Sequence, residues 1–195
     1  LFNNKKIKGE NLSIIASNVS DDVFHLAPIF HNELVNRDKL SNSSTQGSTN
    51  LINRIFNHGD KENLAMEGHP AELGIFLSVI KKHHLHKKTK NGFQFCAPQK
   101  KEGKLFDLYE TFNKIIKEKK DPMPLTEIYC LFSKPPYGIK MGLLPLLTAT
   151  FFKINEGSLA FYNIDDSRVE SLITDYDPRI CEKFIQIPED LQEFV

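Results

Sequence analysis

Three closely spaced histidines, His83, His84 and His86, followed by Cys96, are where metal chemistry would be sought first. Imidazole and thiolate are the ligands that zinc and its neighbours favour. The spacing matches no standard zinc pattern, however. The run Lys81-Lys82-His83-His84 closes an apolar helical stripe and reads instead as a cationic last turn that complements the helix dipole. His25 and His31, six apart beside Glu33, make no better site. A thiol nucleophile can find its base anywhere in space, so Cys130 is a second candidate. It lies in the apolar run Ile128–Leu131, which places it in a core. The three cysteines, Cys96, Cys130 and Cys181, are far apart and odd in number, so a disulfide framework is not expected and a reducing cytosol is. No glycine-rich phosphate loop, no GxSxG elbow and no HExxH helix is present. The expectation is therefore a protein that is not an enzyme, with no catalytic residue, no cofactor and no metal ligand to assign.

Charge offers a different chemistry. Lys plus Arg equals Asp plus Glu, 25 each, yet the distribution is uneven. From Lys81 to Lys120 there are twelve Lys and no Arg against four acidic residues, while Asn155 to Val195 holds ten acidic residues against three basic. Lys81, Lys82, Lys87, Lys88 and Lys90 are the candidate nucleic-acid contacts, giving sequence-independent, salt-sensitive binding to phosphate. The competing reading is a solvated surface, with the lysines guarding a strand edge. A second polar cluster, Asn32, Glu33, Asn36 and Arg37, is a candidate contact with a neighbouring domain. Equally, it reads as a solvated helix carrying a Glu33–Arg37 pair four residues apart.

The elements that would position these residues follow from periodicity. Leu12, Ile15, Val19 and Val23 predict a helix through Phe24, capped at Asn11 or Ser13. Pro28 opens a short helix over Ile29–Arg37. Ser41-Asn-Ser-Ser caps a helix carrying Leu51, Ile52, Ile55 and Phe56, which ends near Asn57-His-Gly59. Pro70 starts another, with Leu73, Phe76, Leu77 and Ile80 as its stripe. Asn91-Gly92, between two extended runs, is a hairpin signal. Helices followed by a hairpin give the order of a winged helix. The order then recurs, with helices expected over Leu105–Ile116, Leu125–Phe132 and Lys140–Lys153. A second hairpin turn is expected at Asn155-Glu156-Gly157, 65 residues after Asn91-Gly92. The third helix of each half is apolar and has little to donate to a base edge.

The expected fold is mainly α with small β-hairpins, arranged as tandem winged-helix-like domains. Residues 1–98 form a helical bundle ending in the first unit, and 99–195 form the second unit with an acidic helical tail. Fifteen Phe and no Trp predict a core of Phe, Leu and Ile. No run approaches the roughly 20 apolar residues of a membrane span, and no signal peptide is evident. A cytoplasmic protein with no membrane partner is expected. Leu1 in place of an initiating Met reads as a piece of something longer.

Several stretches together resemble a known group. They are His31-Asn-Glu-Leu-Val-Asn-Arg37 with Leu40-Ser41, then Glu67-Gly-His-Pro-Ala-Glu-Leu73, and above all Lys134-Pro-Pro-Tyr-Gly-Ile-Lys-Met-Gly-Leu-Leu-Pro145. The chain resembles, over roughly residues 12–163, a C-terminal region of large, poorly characterised bacterial P-loop NTPases, some from defence or mobile-element loci. The resemblance implies a cytoplasmic accessory module beside an ATPase domain, and it supplies no catalytic residue. The function expected first is a non-enzymatic interaction or regulatory module whose partner is protein, either its own NTPase domain or another subunit. The alternative is a nucleic-acid-binding module making sequence-independent phosphate contacts. An unrecognised enzyme is the third.

Overall fold

A computed structural model describes residues 9–118, 123–159, 161–164 and 170–173. The chain is mainly helical with small antiparallel hairpins. Three helices precede a hairpin, and the order then repeats. The first set is α1 (Gly9–Val23), α2 (Asn42–Asn57), α3 (Ala71–Ile75, running on as a π-helix over Phe76–Lys81), β1 (His86–Thr89) and β2 (Gly92–Phe95). The second is α4 (Lys104–Glu118), α5 (Leu125–Ser133), α6 (Leu144–Ile154), β3 (Phe161–Ile164) and β4 (Glu170–Ile173). The expected tail helix opening at Asp177-Pro178, the piece from Pro188, and Cys181 lie outside the described residues.

Local sequence explains most of these boundaries. Ser41 caps α2, its hydroxyl accepting from the Ser44 amide at 3.2 Å. Pro70 precedes the first turn of α3, and Pro145 sits at the start of α6. In the first hairpin, Thr89 pairs with Gly92, so Lys90 and Asn91 form the turn. Positive φ falls on Gly92 (109°), not on Asn91.

Four expectations need correction. Residues 29–37 form no helix: the Asn32 side chain accepts from the Leu34 and Val35 amides at 2.9 and 3.2 Å, and the Asn36 side chain donates to the Phe30 carbonyl. Such side-chain bonds offer the backbone an alternative to helix. The stripe of α3 is shifted. Five-residue hydrogen-bond spacing after Phe76 turns Ile75, Phe76, Val79 and Ile80 inward and leaves Leu77 exposed. Residues 155–157 are no hairpin turn. α6 runs to Ile154, the Asn155 amide closes it on the Phe151 and Phe152 carbonyls, and the second hairpin joins β3 to β4. Finally α1 starts at Gly9, upstream of both expected caps.

One buried cluster runs through both sets of helices. α6 is its axis: every residue from Leu144 to Phe152 is buried, as a helix apolar on all sides should be. α2 packs against both α3 and α6, and α6 also meets α5 and β2. Glycine makes the α2–α6–hairpin junction possible, since a Cβ on Gly59 would stand 2.9 Å from the Ile55 carbonyl and 3.0 Å from Lys153 Cε.

Candidate interaction surfaces

The histidines of the first hairpin diverge. His86 is buried between Phe76, Phe93 and Phe95. Its Nε2 lies 2.9 Å from the Gly59 carbonyl, which can only accept, so Nε2 carries the proton. Burial pushes this imidazole below its ordinary pKa, against the raising effect of that hydrogen bond. His83 and His84 turn elsewhere and share one carboxylate. Their Nδ1 atoms lie 3.6 and 3.2 Å from the two oxygens of Glu102, whose side chain is largely buried. His83 packs edge-on against Phe30, ring centres 5.0 Å apart, and its Nε2 is buried without a partner. Burial lowers its pKa too, while Glu102 pulls the other way. Cys96 is half-buried on the far side of β2, its sulfur near Gln94. Among the described residues no three His, Cys, Asp or Glu side chains converge to hold a metal.

Of the five candidate lysine contacts, Lys81, Lys82, Lys88 and Lys90 are exposed and Lys87 is half-buried. Lys81 donates to the Asn63 side chain at 2.9 Å. Lys87 and Lys88 are neighbours on β1, so the pleat turns them to opposite faces of the hairpin. The hairpin lysines therefore do not form one row.

The candidate domain contact is largely used within the chain. Asn32 donates to Ser78 Oγ on α3 at 2.7 Å, and Asn36 is bonded as above. Glu33 and Arg37 are exposed and 3.8 Å apart, a pairing that contributes little to stability. These residues belong to a strap, 24–40, that crosses from α3 to the Lys134–Gly142 segment. Its Phe30 touches His83 at one end. At the other, the Leu26 amide donates to the Pro136 carbonyl at 3.0 Å, Lys140 pairs with Asp38 at 2.7 Å, and the Gly142 amide donates to the Arg37 carbonyl at 2.9 Å. Gly138, at φ 61°, lies flat beneath the Phe24 ring, and Gly142 beneath Leu40 and the Val35 carbonyl. The Pro-Pro-Tyr-Gly stretch is thus a seat for the strap. The available signal in the sequence was the placing of Gly138 and Gly142, four residues apart.

A cleft of about 430 Å³ opens where the strap, the end of α1 and this seat meet. Cys130 lines it, half-buried, rather than sitting in the core as expected. Lys104, Lys134 and Lys140 share the lining with Asp21 and Asp38.

α1 presents the other unexpected surface. Its stripe forms as predicted but is left largely exposed: Ile15 is half-buried, while Leu12, Val19 and Val23 are 54%, 47% and 42% exposed. No helix among the described residues is long and apolar enough to cross a membrane. No family model matches the chain, and neither a curated protein nor a solved structure matches it.

Proposed function

We propose that this chain is a non-enzymatic interaction or regulatory module of a larger bacterial NTPase, working in the cytoplasm and docking to protein through α1. The largely exposed apolar stripe of α1, with Leu12, Val19 and Val23 open to solvent, carries the reading. A 15-residue helix is marginal alone in water, and an exposed apolar stripe rimmed by polar residues is what protein-contact surfaces present. Two winged-helix-like halves, 1–98 and 99–195, frame the module. Three helices followed by a hairpin, twice over, support that arrangement. The test is affinity capture from a bacterial host that carries the gene, with wild type beside Leu12→Asp/Val19→Asp. Retention of a P-loop protein by wild type and its loss from the variant is the expected result. Equal capture by both removes α1 as the docking face.

A second reading, sequence-independent binding to nucleic-acid phosphates, is favoured by one observation. No large hydrophobic residue from Lys81 to Lys104 is exposed, while every lysine there except the half-buried Lys87 is. A protein partner needs apolar anchors; a phosphate backbone needs only cations.

A further inference from the structure

We infer that the anion-binding surface of this chain is a ridge assembled around Glu102, formed by Lys81, Lys82, Lys100 and Lys101, and that it takes the phosphate backbone of a nucleic acid. The inference rests on the second reading above and moves its centre away from the hairpin tip.

Lys100 and Lys101 stand eighteen residues or more from Lys81 and Lys82 in sequence, with the whole hairpin between. Glu102 closes that distance. Its two oxygens meet His83 and His84, the residues directly after Lys81-Lys82, and it is itself the residue directly after Lys100-Lys101. The turn Lys100–Glu102 is held short by the Glu102 amide on the Gln99 carbonyl (2.8 Å) and the Gly103 amide on the Lys100 carbonyl (3.1 Å). The Cys96 amide on the Leu85 carbonyl (2.8 Å) fixes the returning strand beside the end of α3. Two Lys-Lys pairs are thereby brought to the same corner of the molecule, all four side chains exposed. The carboxylate between them has its two oxygens on the imidazoles of His83 and His84 and, among the described residues, pairs with none of the four lysines. The hairpin, by contrast, splits Lys87 from Lys88 across its two faces.

The chemistry favours phosphate over an acidic peptide. From Lys81 to Lys104 no large apolar side chain is exposed, the exposed one nearest in sequence being Leu77. Lysine is a point charge without the bidentate fork of arginine, so contacts are weak, salt-sensitive and indifferent to base sequence.

The test is fluorescence anisotropy on the full chain with a labelled duplex and the same single strand, between about 20 and 200 mM salt. Four lysine contacts give a log–log salt slope of about −3.6. Lys100→Ala/Lys101→Ala should weaken binding about tenfold or more at low salt and flatten the slope by about 2. Lys87→Ala/Lys88→Ala/Lys90→Ala should change affinity less than about threefold. Four of the five positions are exposed lysines and Lys87 is half-buried, so a melting curve of each variant accompanies the titration. Glu102→Ala should weaken binding although it removes a negative charge, while Glu102→Gln, which keeps an acceptor for the histidines, should not. A dominant effect of the hairpin triple variant would overturn the ridge and leave the second reading standing. Absence of binding to either nucleic acid at the lowest salt would overturn both. Competition by polyglutamate as effective, charge for charge, as that by unlabelled DNA would overturn the choice of partner.

Discussion

Gly138 meets two demands at once: a left-handed backbone (φ 61°) and contact with the face of Phe24, which any Cβ would strike. Gly138→Ala should cost about 1–3 kcal/mol, read as a lower urea midpoint with unchanged slope. Gly74, exposed within α3 and with open space where its Cβ would be, should respond oppositely, Gly74→Ala adding up to about 1 kcal/mol. His86 makes stability depend on pH. Burial holds its folded-state pKa below the ordinary 6.5. As pH falls from there, the unfolded chain takes up the proton first, so stability declines below pH ~6.5 and levels off beneath the folded value. Melting temperatures from pH ~8 to ~5 should show this drop, and His86→Gln should flatten it while lowering the whole curve. His83, shifted in the same direction, supplies the slope that remains. Single residues were unevenly legible. The first hairpin announces itself in Asn91-Gly92 because backbone chemistry there is local, although its turn is Lys90-Asn91. The role of Asn32 does not, because its amide nitrogen reaches Ser78, 46 residues away.

Between α2 and α3 the chain makes a tight turn, Glu62–Ala65, in which Asn63, Leu64 and Ala65 all take positive φ. Non-glycine residues adopt that conformation only when their surroundings impose it. Leu64 is wholly buried, and the Arg54 guanidinium reaches the Leu64 and Ala65 carbonyls at 3.4 and 3.3 Å. The same Arg54 pairs with the buried Glu72 at 3.2 Å. Arg54→Met should therefore cost about 3 kcal/mol, since it strands a buried carboxylate. Arg54→Met/Glu72→Leu should recover much of that, and a double-mutant cycle of urea unfolding measures the difference. Elements with regular periodicity, α2, α4, α5 and α6, were legible within a few residues. Two were not. In α3 the π-helical spacing breaks the 3.6-residue rule on which the predicted stripe depended. Over 29–37 polar side chains compete with the helix for its amides. The stripe of α1 was legible as a pattern, but a pattern does not say whether its face is covered.

At the scale of the whole molecule, the helices of both sets and the first hairpin were visible from sequence, because capping, proline and turn signals are local, whereas the second hairpin was expected at 155–157, where the structure ends α6. The strap and its seat were not, because Leu26 and Pro136, or Asp38 and Lys140, meet only once the chain has folded back over about a hundred residues. The continuous core has the same character. α2 relies on α6, so neither half buries its own apolar face alone. Residues 1–98 and 99–195 expressed separately should each lack a cooperative melting transition, and mixing them should restore part of it; calorimetry of the two pieces and the mixture checks this. The axial position of α6 also sets a timetable for synthesis. Some 87 residues separate the end of α2 at Asn57 from the start of α6 at Leu144. At ribosomal rates of about 5–20 residues per second, α2 waits roughly 4–17 s before the first residue of α6 is added. Throughout that interval the part of the α2 face that α6 covers is open to chaperones and to neighbouring nascent chains, so the yield of this protein in a cell depends on elongation speed between codons 57 and 144 as well as on final stability.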